Sequence, residues 1–476
     1  MNDRKPPSDK VGFDGLSQAE SGQQRDLEVD PKLGDAPVVD AVWGTIEGDG
    51  PDYKSLSWIQ ATVLQLKTQI GLGILGLPAA LNTLGLVPGL IAIIGIALVI
   101  GWSDYVIGTF KINHPEVYSV ADIGEMLFGP IGREILGFAF WLLLVCVAGA
   151  SFLSMSVGFN TITEHATCTV VWTIVCMVII GTLSSIQTLN RISWIGWVGL
   201  VSILSAVITL MVAVGTADRL SLAPAGDDWS VESPAFKSAT FVDSINAITI
   251  IIFAYGGTPN YFSIVGEMKE PRDYTKTIVV GQSLMTGLYL VVAAVVYHFA
   301  GQYIASPALG TAGHIVKKVC YGLALPGLAA GGVMIVHVSA KYVFVRILRN
   351  SPHLSKNTPT HFIAWFGCIA LICGLGFVIA EAIPFFNDLL SLIGALLNTL
   401  ICIQVESYMW IWDNWRSPSR GTLKWKLLFA MNVIFHCIGW FISVAGTYAA
   451  VITLHQNFQD GNLSRPFSCA DNSGST

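Results

Sequence analysis

The chain has 476 residues, 53% of them hydrophobic and 12% charged, with a mean hydropathy of +0.61 and a formal net charge of −6. Soluble globular chains carry roughly 25% charged residues, so this composition excludes a soluble globular protein and describes an integral membrane protein bathed in a lipid bilayer. No nucleic-acid partner is expected.

Residues 1–53 hold twelve Asp/Glu and five Lys/Arg, a net of −7, which leaves the rest of the chain at +1. This arm is polar, rich in Pro, Gly, Ser and Asp, and lacks an apolar h-region, so residues 1–54 are expected to be a disordered acidic cytoplasmic tail and not a signal peptide. Residues 55–456 form the expected transmembrane domain. Eleven apolar runs near the length needed to cross a bilayer lie at 56–84, 86–110, 133–160, 168–188, 192–215, 241–266, 277–300, 315–347, 360–382, 386–411 and 424–455.

The first run contains "QIGLGILGLPAAL", residues 69–81, in which Gly71, Gly73 and Gly76 spell G-x-G-x-x-G. A dinucleotide cradle needs a strand before the glycines, a helix after them and an acidic residue about 20 positions on. The next acid here is Asp104, and the segment is apolar throughout. The glycines therefore read as a break in a membrane helix, with its second half starting near Leu75 to Leu77. Four residues before Gly71 stands Lys67, a charge well inside a span, where a charge costs about 2.5–3.5 kcal/mol and so marks function.

The sixth run is interrupted at "FAYGGTPNYF", Phe253 to Phe262. Unpaired backbone at membrane depth is tolerated only where it lines a cavity or is buried in protein. Broken helices in the first and sixth spans are the pattern of a five-plus-five inverted repeat with the site at mid-membrane, here followed by an eleventh helix. Freed N–H groups at the start of a half-helix suit a carboxylate, and freed carbonyls at Phe253, Ala254 and Tyr255 suit an ammonium. An amino acid carries both. The spans beside the breaks offer few charges, which favours a neutral side chain. Gly71, Leu72, Gly73, Ile74, Phe253, Ala254, Tyr255 and Thr258 are the expected substrate-binding residues, with Tyr255 as a lid or side-chain contact.

Further along, Glu267 directly after span 6 and Arg346 on span 8 are candidates for a gate latch, and Ser339 on span 8 joins Lys67 as an ion-coupling candidate. Glu381 and Asp388 flank Pro384 at an expected exposed turn. Nine Cys, mostly in apolar runs, imply neither a metal site nor a disulfide framework. No cofactor and no catalytic constellation emerge, so an enzyme is not expected. Fourteen basic residues fall on one side of the spans and five on the other, which places the N-terminus in the cytoplasm. An odd span count then makes residues 457–476 a short extracytoplasmic tail, which holds the sequon Asn462-Leu-Ser464.

The stretches "KTQIGLGILGLPAALNTLGLVPG", "FAYGGTPNYFSIVGEMKEPRDYTKTI" and "EAIPFFNDLLSLIGALL" resemble the amino acid/auxin permease family. The tail "RPFSCA" and the "FAY" opening the second break are similar to its filamentous-fungal neutral amino acid permeases of system N type. The resemblance implies eleven spans in a five-plus-five repeat and secondary active uptake of neutral aliphatic and aromatic amino acids by alternating access. It also implies proton symport, because proton-coupled animal relatives carry a Lys where Lys67 stands. Those relatives have a His three residues earlier, here Leu64, so a His-mediated coupling does not carry over. The residues leave open a sodium-coupled carrier and a transceptor that senses amino acids with little flux. The plasma membrane is the expected location, with the vacuolar membrane as the alternative.

Overall fold

The computed structural model describes residues 38–40, 44–46, 56–117, 119–186, 189–217, 219–224, 229–348, 351, 353, 358–459 and 466–473. It divides into a unit of Met1–Gly50 and a unit of Pro51–Thr476. In the first, Val38–Asp40 and Gly44–Ile46 pair antiparallel, with Val38 opposite Ile46, so the acidic arm expected to lack structure contains one short hairpin. The sequon at Asn462 lies outside the described residues.

The second unit is helical. Among the described residues nine helical segments are long and apolar enough to cross a membrane. The shorter helix Thr169–Ser184 and the pair Trp58–Gln69 and Leu72–Leu84 supply two more, giving eleven spans. Span 1 is that broken pair, halves 1a and 1b. Span 2 is Leu86–Asn113, span 3 lies within Val120–Thr163, span 4 is Thr169–Ser184 and span 5 lies within Leu189–Thr216. Span 6 is Phe241–Ala254 (6a), a 3-10 turn at Thr258–Asn260 and Tyr261–Glu267 (6b). Spans 7 to 11 are Tyr274–Ala300, His314–Leu348, Pro359–Ala382, Phe386–Asn414 and Leu423–Gln459.

Local chemistry sets the ends of the two broken spans. Ser57 caps 1a in a reciprocal capping box with Gln60. The helix stops at Ile70, whose backbone is extended, and 1b restarts at Leu72, three residues earlier than expected. Pro78 does not open 1b; it sits mid-helix, costing one backbone bond. In span 6, Gly256 N–H turns back to Phe253 O at 2.9 Å, and Gly257 N–H to Tyr255 O at 2.9 Å, which ends 6a. The start of span 1 and the end of span 6 are joined: Leu56 N–H donates to Glu267 O at 3.0 Å and Lys269 N–H to Leu56 O at 2.9 Å. Their breaks therefore sit side by side.

Cys168, before span 4, is bonded to Cys469, 301 residues later. This corrects the reading that the cysteines, mostly in apolar runs, imply no disulfide. Around the bond, Thr169 donates to Ala470 O at 2.6 Å, Asn160 Nδ2 donates to Asn472 Oδ1 at 2.8 Å, and Phe467 N–H donates to Glu381 O at 3.3 Å. Glu381 is thereby buried, at 5% exposure, and not on an open turn as expected.

Candidate functional site

A cavity of about 110 Å³ opens where the two breaks meet. Its walls are Lys67 to Gly73 of span 1, Phe253, Ala254, Gly256, Pro259 and Asn260 of span 6, and apolar stretches of spans 3 and 8, with Asn398 of span 10 closing it. Of the expected substrate-binding residues, Gly71, Leu72, Gly73, Phe253 and Ala254 line this space.

Three others do not. Ile74 is fully buried on the far side of 1b. Tyr255 turns its ring away onto Tyr289, 5.1 Å between centroids in an edge-to-face contact, and donates to Thr286 Oγ1 at 3.3 Å, so it is no lid. Thr258 points its hydroxyl toward Asp104 of span 2. The physical reason is the 3-10 turn: at three residues per turn, side chains of the unwound stretch fan around the axis, and only some face the cavity.

The glycines divide as well. A Cβ placed on Gly71 would meet nothing within 4 Å, so this residue borders open space. On Gly73 it would lie 2.4 Å from Ala254 Cα, which makes Gly73 a close-packing point between 1b and 6a. The positions beside Gly256 and Gly257 are filled by protein: Asn398 Nδ2 would be 2.1 Å from the first, Gln69 Cγ 2.7 Å from the second. The room that two adjacent glycines suggest for a substrate is taken by these amides.

The carbonyls at the end of 6a are engaged. Tyr289 of span 7 places its hydroxyl 2.8 Å from Ala254 O and 3.0 Å from Gln69 O. A phenol has one hydrogen, so it serves the two carbonyls alternately and bridges the ends of 1a and 6a. Gln69 Nε2 donates to Tyr261 Oη at 2.5 Å and reaches Tyr255 O at 3.4 Å. The buried amide oxygens of Gln69, Asn260 and Asn398 have no hydrogen-bond partner, and all three residues line the cavity. The sequence places Asn260 at the second break but gives Gln69 and Asn398 no site role; the signal for Asn398 is a polar residue inside "SLIGALLNTLICIQVE", where the helix widens into π-helical turns.

Lys67 is 3% exposed, and its Nζ donates to Gly327 O of span 8 at 3.1 Å. Its stem lies against Gly199 of span 5, where a Cβ would stand 2.5 Å from Ala330 Cβ and 3.0 Å from Lys67 Cε. Among the described residues Lys67 is the one charged side chain in the cavity wall. Ser339 is not beside it. Twelve residues separate Gly327 from Ser339, roughly 18 Å of helix, and Ser339 is absent from the cavity wall. Neighbouring His337 packs on Trp365, 5.2 Å between ring centroids, with Nδ1 3.3 Å from Ser184 O.

The expected Glu267–Arg346 latch does not form. Arg346 pairs with Glu134 of span 3 and donates to Tyr342 Oη at 3.4 Å, whereas Glu267 interacts with Lys341. Both residues had oppositely charged alternatives closer in the helical packing, which charge pattern alone does not rank.

Two broken helices crossing at a small, mostly apolar, mid-span cavity define a membrane transporter of the inverted-repeat class. Residues 54–452 match the model of the transmembrane amino acid transporter protein family, and the chain belongs to that family. Among curated relatives, a transmembrane transporter of Gibberella moniliformis is 35% identical over 94% of this chain and 96% of the relative. The N amino acid transport system protein of Neurospora crassa is 34% identical over 88% of this chain and 89% of the relative. Two solved structures share the fold. Mhp1, a nucleobase-cation-symport-1 family transporter in a closed conformation, superposes with a TM-score of 0.54 at 13% identity, covering 89% of this chain and 96% of that one. A sodium-coupled sialic acid symporter gives a TM-score of 0.51 at 12% identity over 85% and 90%.

Proposed function

We propose that the protein is a secondary active symporter that carries neutral amino acids with protons by alternating access. The observation that carries this reading is the cavity wall. It presents the uncapped N-terminus of 1b for a carboxylate, unpartnered amide oxygens for an ammonium, apolar side chains of spans 3 and 8 for the remainder and, among the described residues, no Asp, Glu, Arg or His. The amide oxygens of Gln69, Asn260 and Asn398 take the ammonium role first assigned to the 6a carbonyls. Lys67 supports the proton reading, since its ammonium ties the end of 1a to span 8 and removal of its proton loosens that tie.

The proposed location is the plasma membrane, with the N-terminus inside and the C-terminal tail outside. The Cys168–Cys469 bond supports this side for the tail, because disulfides persist in oxidising compartments. Uptake of a labelled neutral amino acid, with competitors of each charge class, at acidic and alkaline pH and with sodium replaced by choline, tests the reading. Inhibition by neutral amino acids and acid-stimulated, sodium-independent uptake are expected. Best competition by arginine or glutamate, or a strict sodium requirement, overturns it.

A further inference from the structure

Behind the second break, on the side away from the cavity, two carboxylates are buried together. Asp104 of span 2 is 0% exposed and Glu406 of span 10 is 1% exposed, on two helices packed against each other. The groups around them come from every neighbouring span. From span 6 the buried Thr258 hydroxyl lies beside Asp104 and Cys402 without closing a hydrogen bond of good geometry, and half-helix 6b, which begins at Tyr261, packs on span 2. From span 7 comes Tyr274, whose ring lies on Gly108, one turn along span 2 from Asp104: a Cβ on that glycine would be 2.1 Å from Tyr274 Cδ1. From span 10 comes Cys402, which feels both carboxylates.

Among the described residues no Lys, Arg or His pairs with either acid. Lys111, farther along span 2, donates instead to Pro115 O at 2.6 Å and Val117 O at 2.5 Å. No hydrogen bond of good geometry closes on either oxygen of Asp104, on Glu406 Oε2, or on the hydroxyl of Tyr274, which is 3% exposed.

Two ionised carboxylates buried without a cation carry a desolvation cost and repel each other, and a bound positive charge removes both penalties. The surrounding hydroxyls select the proton. Thr258 and Tyr274 can donate to a carboxylate or accept from a carboxylic acid, so they serve the loaded and the empty site alike. The described residues contain no group of three His, Cys, Asp or Glu able to hold a metal ion.

We propose that Asp104 and Glu406 form a proton-binding site, separate from Lys67, that is loaded and emptied once per transport cycle. Loading adds a proton to one carboxylate oxygen from one side of the membrane, release returns it to the other side, and no other bond changes. Thr258 belongs to the non-helical turn of span 6, so the state of the pair is felt at the break that shapes the substrate cavity on its opposite face. This rests on the transporter reading above.

The test uses purified full-length protein in liposomes, with counterflow of labelled substrate and proton uptake recorded side by side. Wild type is expected to show both; absence of counterflow would sink the transporter reading itself. Asp104→Asn and Glu406→Gln are expected to keep counterflow and take up fewer protons per substrate than wild type, with Thr258→Val shifting the pH dependence of uptake. An unchanged number of protons per substrate in both carboxylate variants overturns the proposal. Should either variant fail to fold, wild type is treated with dicyclohexylcarbodiimide, which attacks protonated carboxyls in apolar surroundings. Labelling of the Asp104 or Glu406 peptide, blocked at alkaline pH, supports the site, and labelling of neither overturns it.

Discussion

The two breaks occupy matching places in the inverted repeat yet are built in opposite ways. At the first, Gly71 borders empty space and no side chain caps the restarted helix. At the second, Gly256 and Gly257 are covered by the amides of Asn398 and Gln69. The first break presents bare backbone to the cavity, whereas the second presents side chains resting on backbone. A glycine in a membrane helix thus has two uses, exposing the main chain or admitting a neighbour, and the letter alone does not distinguish them.

The sharpest way to break this contrast is within the first break itself. Gly73→Val drives a side chain into the Ala254 backbone and is expected to separate 1b from 6a, at a cost of about 1–3 kcal/mol or more, read as lost surface expression and a lowered Tm. Gly71→Val has open space before it and is expected to fold and reach the membrane while losing uptake, because its side chain covers the N–H groups of 1b. Equal stability loss in both variants, or full-affinity uptake by Gly71→Val, would erase the distinction. Tyr289→Phe removes the hydroxyl shared by the two breaks. One lost hydrogen bond is worth about 1 kcal/mol, so substrate affinity is expected to fall several-fold, measured as the apparent KM with expression unchanged.

The smallest effect provides a baseline far from both breaks. Glu164, in the turn after span 3, accepts from Lys318 and His314, and these partners hold its carboxyl below the usual range. A carboxyl lowered in the folded state adds stability above its unfolded range, and that contribution fades as pH falls through the folded value. Glu164→Gln is expected to lower Tm slightly near neutral pH, with the difference from wild type disappearing in acid. The pair is exposed, so its contribution is small.

The spans and both breaks were legible because length, apolarity and glycine density act over many residues. What was not legible depends on direction. The start of 1b was expected near Leu75 to Leu77, but the helix restarts at Leu72 and accommodates Pro78, six residues in, by losing a single backbone bond. Tyr255 and Thr258 stand in the right segment, and only the turn of the backbone shows that they face span 7 and span 2. Arg346 had several acids of suitable charge, and packing, which brings Glu134 of span 3 to it, decided among them. Glu406 escaped notice because an acid late in span 10 acquires meaning only beside Asp104, 302 residues earlier. Cys168 and Cys469 were hidden by an odd total of nine cysteines and by their distance along the chain.

The segment carrying Cys469 also has a kinematic consequence. Its covalent bond before span 4 and its hydrogen bonds to Asn160 and Ser156 of span 3 and to the carbonyl of Glu381 on span 9 lace three helices together at one membrane face. Bodies laced in this way rotate as one. If alternating access turns one group of helices against another, spans 3, 4 and 9 form the stationary frame at that face, and the freedom to tilt falls to the broken spans 1 and 6 and their neighbours.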